Sequence, residues 1–113
     1  MKDYIFLFRG GLDFRTASPE QLQKAMQKWQ LWMDRLAKDG KLSSSGNRLN
    51  GTGSVIRGNK KEVFEGPYVE GKEIVGGYMG VKAASLEEAI EIGKGCPIFD
   101  FGGSTEVREV VAM

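Results

Sequence analysis

The stretch YIFLFR, residues 4–9, sets the first constraint on how this chain folds. It is rich in aromatic and β-branched residues and is followed by two glycines, which is typical of a strand that ends in a turn. Because side chains alternate along a strand, its aromatic rings share one face, and Ile5 and Leu7 share the other. A strand that is apolar on both faces needs cover on both sides of its sheet.

A long helix is predicted after this strand, and the residues SPEQ mark its start. Ser18 fits the N-cap, Pro19 the first helical position and Gln21 the capping-box partner. The helix should continue to about Lys38 and stop at Gly40. Its apolar face follows the helical period and comprises Leu22, Ala25, Met26, Trp29, Trp32, Met33 and Leu36. The opposite side carries a basic stripe, interpreted as solvated surface, of Lys24, Lys28, Arg35 and Lys38 with Leu31 among them.

The rest of the chain alternates strands with one shorter helix. Residues 43–46, SSSG, are predicted as a loop. A second capping box, SLEE from Ser85, begins a short helix with apolar Leu86 and Ala89, and glycines and Pro97 end it. Strands are predicted at about residues 48–57, 61–64, 73–82 and 105–111.

This order of elements predicts an α+β fold of the ferredoxin-like βαββαβ type, with one antiparallel sheet and both helices on one of its faces. The 113 residues are enough for a single domain, residues 1–113. The sheet face without helices must be buried by something, because the first strand is apolar on both sides. A second copy of the chain is the simplest candidate, so we expect a homodimer through the sheet face.

Composition excludes several functions. Histidine is absent and there is one cysteine, Cys96, which rules out Ser-His-Asp and Cys-His triads and the usual zinc or copper sites in a monomer. We expect no metal and no cofactor. The net charge of +1 gives no overall field for nucleic acid or an anionic membrane. The sequence also has no 18-residue apolar stretch, and the lone thiol agrees with a reducing compartment, so we expect a cytoplasmic protein.

The stretch GPYVEGKE, residues 66–73, comes within one residue type of a phosphate-binding loop. That loop needs a hydroxyl after its lysine and a helix after the hydroxyl. Here Glu73 follows Lys72, Pro67 removes a backbone donor, and a strand is predicted next. The stretch is therefore interpreted as a turn that leads into a strand.

The same region carries a family resemblance. FEGPYVEGKEIVGGYMGVKAASLEEAIEIGKGCP, residues 64–97, and GGSTEVREV, residues 102–110, resemble the YCII-related proteins of the DGPF type. Those proteins combine a D-G-P-[FY] turn, a K-E-x-x-G-G-[FY] strand, an S-L-[DE]-E-A helix, a C-P pair and a G-[GS]-x-[IV]-E-[IV]-R-P-[IV] strand. Residues 18–42 are similar to the family's first helix.

The resemblance implies a ferredoxin-like protomer that pairs sheet to sheet into a dimeric α/β barrel. It also implies a small-molecule cavity with acid-base residues in some members. This sequence departs from the family where Glu65 stands for the aspartate of the turn and Tyr68 for the common phenylalanine. The histidine proposed for catalysis in some relatives has no counterpart here.

Candidate site residues cluster around the EGPY turn, residues 65–68. Glu65 and Tyr68 are candidates for acid-base catalysis, on a turn expected to face the cleft between sheet and helix. The candidates for ligand binding are Trp32, Lys72, Glu73 and Tyr78. The alternative is that these residues form no functional site. The turn is then purely structural, its charged residues are solvated, and the aromatic residues of the helix all belong to the core.

Three functions stay open at this point. The first is a non-catalytic or regulatory homodimer that binds a small molecule in a cleft near the EGPY turn. The second is a cofactor-independent enzyme, isomerase- or lyase-like, with Glu65 as its acid or base. The third is a purely structural dimer whose pocket is filled by side chains.

Overall fold

A four-stranded antiparallel sheet carries two α-helices on one face, in a computed structural model that describes residues 1–67 and 74–112. The sheet order is β2-β5-β1-β6, and β3 pairs with β4 in a separate two-stranded sheet. This is the predicted ferredoxin-like order, with the β3–β4 hairpin inserted before β5. The elements are β1 (Lys2–Arg9), α1 (Pro19–Lys38), β2 (Leu42–Arg48), β3 (Gly53–Arg57), β4 (Glu62–Gly66), β5 (Val75–Ala83), α2 (Leu86–Lys94), a 3-10 helix (Pro97–Phe101) and β6 (Ser104–Glu109).

The start of α1 confirms the predicted capping box. The Ser18 hydroxyl accepts a hydrogen bond from the Gln21 backbone N–H at 3.1 Å, and the Ser18 N–H donates to the Gln21 side chain at 2.9 Å. Two otherwise unpaired backbone donors at the helix start are thus satisfied. The helix ends at Lys38, as its sequence predicts.

The core lies between the sheet and α1, and aromatic rings fill it. Phe6 stacks on Trp32 at 6.3 Å between ring centroids, and Phe8 meets Trp29 edge to face at 5.1 Å. Such pairs add about 0.5–1.5 kcal/mol each beyond the area they bury. The predicted apolar face of α1 is confirmed except at Met26, which is 66% exposed. The buried stripe is narrower than predicted, because Ala25, the residue before Met26, is the buried one at this point of the helix.

The prediction of a loop at residues 43–46 is wrong, since these residues belong to β2. Ser44 pairs with Gly80 of β5 and Asn47 with Tyr78, with shifts of register on either side of Ser44. Gly46 fits this bulge because its φ is +63°, in the left-handed region that favours glycine. Backbone pairing with β5, rather than side-chain burial, makes this polar segment a strand.

The face of the sheet opposite the helices, which we call the outer face, carries Ile5 and Leu7 of β1. In β1 Leu7 pairs with Tyr78 on one side and with Glu106 on the other, so these side chains also lie on the outer face. The described residues cover this face only in part, and Ile5, Leu7 and Tyr78 are half-buried. The aromatic face of β1 is buried beneath the chain's own helices. None of the described helices is both long enough and apolar enough to cross a membrane.

The β3–β4 hairpin, residues 53–66, is a ribbon that we call the arm. β2 leads into β3 and pairs with β5, while β3 pairs with β4, so the arm extends the β2–β5 pair beyond the sheet. Its tip lies at residues 58–61, where Gly58 and Lys61 have positive φ angles. The arm therefore leaves the sheet at the end where β2 stops.

Candidate functional site

A groove of about 330 Å³ lies on the helix side of the molecule. One wall is α1, and the other is the segment where α2 ends and the 3-10 helix begins. The lining residues are Lys28, Leu31, Trp32, Arg35, Lys94, Gly95, Cys96, Pro97, Phe99 and Asp100. Its volume is at the low end of the range for ligand pockets, so it suits a small molecule.

The groove is rich in positive charge. Three of its lining residues are basic, Lys28, Arg35 and Lys94, and Asp100 is the acidic one. The ammonium group of Lys28 lies 3.0 Å from a carboxylate oxygen of Asp100, and this ion pair joins the two walls. Lys94 lies 2.9 Å from a carboxylate oxygen of Glu91 on its own helix. A negatively charged group in the groove would meet more cations than carboxylates.

The floor of the groove is apolar. Trp32 is 6% exposed and packs on Phe6, so only an edge of the indole reaches the groove. Gly95 comes so close that a Cβ atom on it would lie 3.2 Å from the indole nitrogen of Trp32. A larger residue at position 95 would push against the indole, so glycine keeps the two walls close together.

Cys96 lies in the wall of the groove but is buried. Burial raises the pKa of its thiol to about 11. At neutral pH the thiol is therefore protonated and is a poor nucleophile. This agrees with its predicted position just after a helix C-terminus.

The structure places the predicted site residues in three separate regions. Trp32 lies under the groove, on the helix side of the sheet. Tyr78 lies on the outer face, where its hydroxyl oxygen is 3.3 Å from the amide nitrogen of Asn47. Glu65 lies on the arm and is exposed, rather than facing the cleft between sheet and helix. Within one chain, these three side chains do not form a single site.

The other three predicted site residues, Tyr68, Lys72 and Glu73, lie outside the described residues. The part of the EGPY turn that is described ends at Pro67. The assignment of these three residues to catalysis or ligand binding therefore stays a prediction.

The sequence prediction interpreted Lys28 and Arg35 as solvated surface, and both are exposed, but it did not place them beside a groove. Their spacing carried a usable signal, because Lys28, Trp32 and Arg35 are separated by four and three residues. Side chains at these spacings are neighbours on the helix surface, so the basic stripe borders the apolar face at Trp32 rather than lying opposite it. A tryptophan between two cations on one helix face is a pattern that could have indicated the groove.

Comparison with models of protein families identifies the family of this chain. The model of the YCII-related domain matches residues 12–113, and the chain belongs to this family. The predicted resemblance to the YCII-related family is thereby confirmed, while the DGPF type stays a prediction. No curated protein matches the sequence.

Proposed function

We propose that this YCII-related protein is a homodimer that binds a small anionic molecule and does not catalyse a reaction on it. The basic groove beside Trp32 carries this proposal. It combines an apolar floor with Lys28, Arg35 and Lys94 at its walls. Pockets that bind small molecules combine apolar side chains with polar groups that fix the orientation of the ligand, and this groove contains residues of both kinds.

The chemistry of the groove favours binding over catalysis. The chain has no histidine, and the Cys96 thiol is protonated at neutral pH because burial raises its pKa to about 11. Asp100 is paired with Lys28. General acid-base catalysis needs a group that exchanges protons near the working pH, and this buried thiol does not offer one.

The outer face supports the dimer. Ile5, Leu7 and Tyr78 lie there side by side, and the described residues bury them only in part. Apolar side chains that stay half-exposed at the centre of a sheet lose contact with water when a second copy packs on them. The expected assembly is a symmetric pair of sheets, which leaves the groove open on the far side of each protomer.

Isothermal titration calorimetry tests the ligand, with benzoate and inorganic phosphate as first probes and neutral benzamide for comparison. We expect benzoate to bind more tightly than benzamide, since only benzoate carries the negative charge. Arg35→Gln should weaken benzoate binding roughly 10- to 150-fold, because a hydrogen bond to a charged group contributes roughly 1.5–3 kcal/mol.

Arg15→Gln is the matched control, since Arg15 is an exposed arginine in the segment before α1 and pairs with Asp13. It should bind benzoate as the wild type does. If small carboxylates and phosphates produce no heat of binding, or if both arginine variants lose the same affinity, the anion site is wrong.

A further inference from the structure

The arm is almost unsupported by the rest of its own chain. Its two strands pair with each other from Gly53–Gly66 to Arg57–Glu62. Among the described residues, neither strand packs extensively on the helices or on the four-stranded sheet. A two-stranded hairpin without further packing is marginally stable in water. Within the part of the chain that the structure describes, little surface therefore holds the arm in place.

The two faces of the arm differ in how much water reaches them. Val55 and Phe64 share one face, where Val55 is half-buried and the guanidinium of Arg57 lies 5.4 Å from the centre of the Phe64 ring. Ile56 and Val63 share the other face, which we call the bare face, and are 68% and 66% exposed. Strands alternate polar and apolar residues when one face is solvated, and this ribbon does not. Phe64 is 43% exposed, so among the described residues the bare face is the less covered of the two.

We propose that the bare face of the arm packs on the outer face of a second copy of the chain, so that the arm of each protomer contacts the sheet of the other. This inference rests on the homodimer proposed above and adds where the arm lies in it. In a symmetric dimer the contact is made twice, once by each arm.

The area that a stable dimer needs supports this occupant. A standard interface buries about 800 Å² of each partner. Ile5, Leu7 and Tyr78 are already half-buried within one protomer. The area that these three side chains can still bury against a partner is therefore far smaller than a standard interface. The exposed side chains of Ile56 and Val63 add apolar area that the outer face lacks.

The charges of the two surfaces also match. On the outer face, Lys82 and Asp3 pair with each other, while Arg9 and Arg108 flank the carboxylate of Glu106. That carboxylate accepts a hydrogen bond from Arg9 and lies 4.0 Å from Arg108. The bare face carries Glu65 beside Ser54. A carboxylate on the arm would therefore meet two cations that share one acidic partner, which favours this contact over others.

The contact would also assemble residues that one chain keeps apart. Along the ribbon, residues 48–53 separate Asn47, the partner of Tyr78, from Ser54, the partner of Glu65. The arm of a second copy is not limited by this separation. Glu65 of one protomer and Tyr78 of the other then lie on one interface, and a site built from both exists only in the dimer.

Sedimentation velocity on the double variant Ile56→Thr/Val63→Thr tests the inference. Threonine keeps the β-branched shape that strands favour but places a hydroxyl where an apolar contact is proposed. We expect the dissociation constant of the dimer to rise at least tenfold. Leu31→Gln is the control, since Leu31 is equally exposed, at 64%, but lies on α1. It should dimerise as the wild type does.

The outcomes separate the two proposals. If Leu7→Asp abolishes the dimer while the double threonine variant keeps wild-type affinity, the arm contact is overturned and the sheet-face dimer stands. If Leu7→Asp leaves the dimer intact, the sheet-face dimer is overturned and the arm contact with it, because the arm is proposed to pack on that face. A monomeric wild type likewise overturns both.

Cross-linking provides a test that does not depend on a weakened fold. The native Cys96 is buried, so thiols introduced at the exposed Ile56 and the half-buried Leu7 react in preference to it. Separately tagged Ile56→Cys and Leu7→Cys proteins are mixed and treated with a bifunctional maleimide. A cross-link between the two tags supports the contact. A yield no higher than that between Leu31→Cys and Leu7→Cys overturns it.

Discussion

At the scale of single residues, Cys96 shows how burial alone changes chemistry. Its thiol is enclosed between α2 and the 3-10 helix, and burial raises its pKa from 9.0 to about 11. The position beside a groove would suit a nucleophile, but the protonation state does not. Cys96 is therefore better explained as a small apolar group in the wall of the groove.

This raised pKa predicts a loss of stability at alkaline pH. The folded state holds the thiol proton more tightly than the unfolded state, so the stabilisation is fully present below about pH 9 and is lost as pH rises towards 11. Urea unfolding of the wild type and of Cys96→Ala across this range measures the effect. The free energy of unfolding should fall less steeply with pH in the variant.

Some alkaline loss should remain in Cys96→Ala. Burial also raises the pKa of the Tyr4 phenol, and the nearby Glu109 carboxylate adds to that rise. Identical pH profiles for wild type and variant would show that the thiol does not titrate as described.

At the scale of elements, β2 depends on one glycine. Gly46 has a φ of +63°, and a Cβ atom there would lie 1.8 Å from the carbonyl oxygen of Tyr78 in β5. Alanine at this position would have to push the two strands apart, in addition to adopting an unfavourable backbone angle.

Gly46→Ala is therefore expected to lower the free energy of unfolding by more than 2 kcal/mol, roughly the sum of backbone strain and steric displacement. Gly58→Ala separates the two contributions, because Gly58 has a φ of +76° with open space where the Cβ would be. That variant should cost only about 1 kcal/mol. Equal losses in urea denaturation would mean that the clash with Tyr78 is relieved without cost.

The helices and strands also differ in how well the sequence predicts them. The boundaries of α1 could be predicted because Ser18, Pro19 and Gln21 act on the backbone next to them in the chain. The strand at residues 43–46 could not, because it is held by β5, more than thirty residues later. The strand propensities of residues 43–46 contain no information about a pairing partner so far along the chain.

The groove was only partly predictable for the same reason. Lys28, Trp32 and Arg35 share a helix face that the period of α1 specifies. The opposite wall, from Gly95 to Asp100, consists of a helix end and a 3-10 turn, which have no periodic pattern. That these two walls meet follows from the packing of α1 near the end of α2, which only the tertiary structure gives.

At the scale of the whole molecule, the chain is flat and less compact than is usual for a domain of its length. Its principal extents are 46, 43 and 20 Å, and its radius of gyration is 15.6 Å. A compact domain of this length has a radius of gyration of about 13 Å. The difference is what a projecting arm and a sheet with helices on one side produce. A protomer of this shape has one well-packed layer and an open second face.

If a second copy completes this packing, folding and association are linked, and stability depends on protein concentration. Each tenfold rise in protein concentration should add about 1.4 kcal/mol per mole of dimer, which shifts the midpoint of thermal unfolding by roughly 3 °C for a chain pair of this size. Differential scanning calorimetry over two decades of concentration measures the shift. The double variant Ile56→Thr/Val63→Thr dissociates more readily, so its midpoint should stop changing at the lower concentrations, where it is monomeric. A wild-type midpoint that does not move with concentration would contradict the linkage, because it would mean that one protomer is fully stable with its outer face and its arm in water.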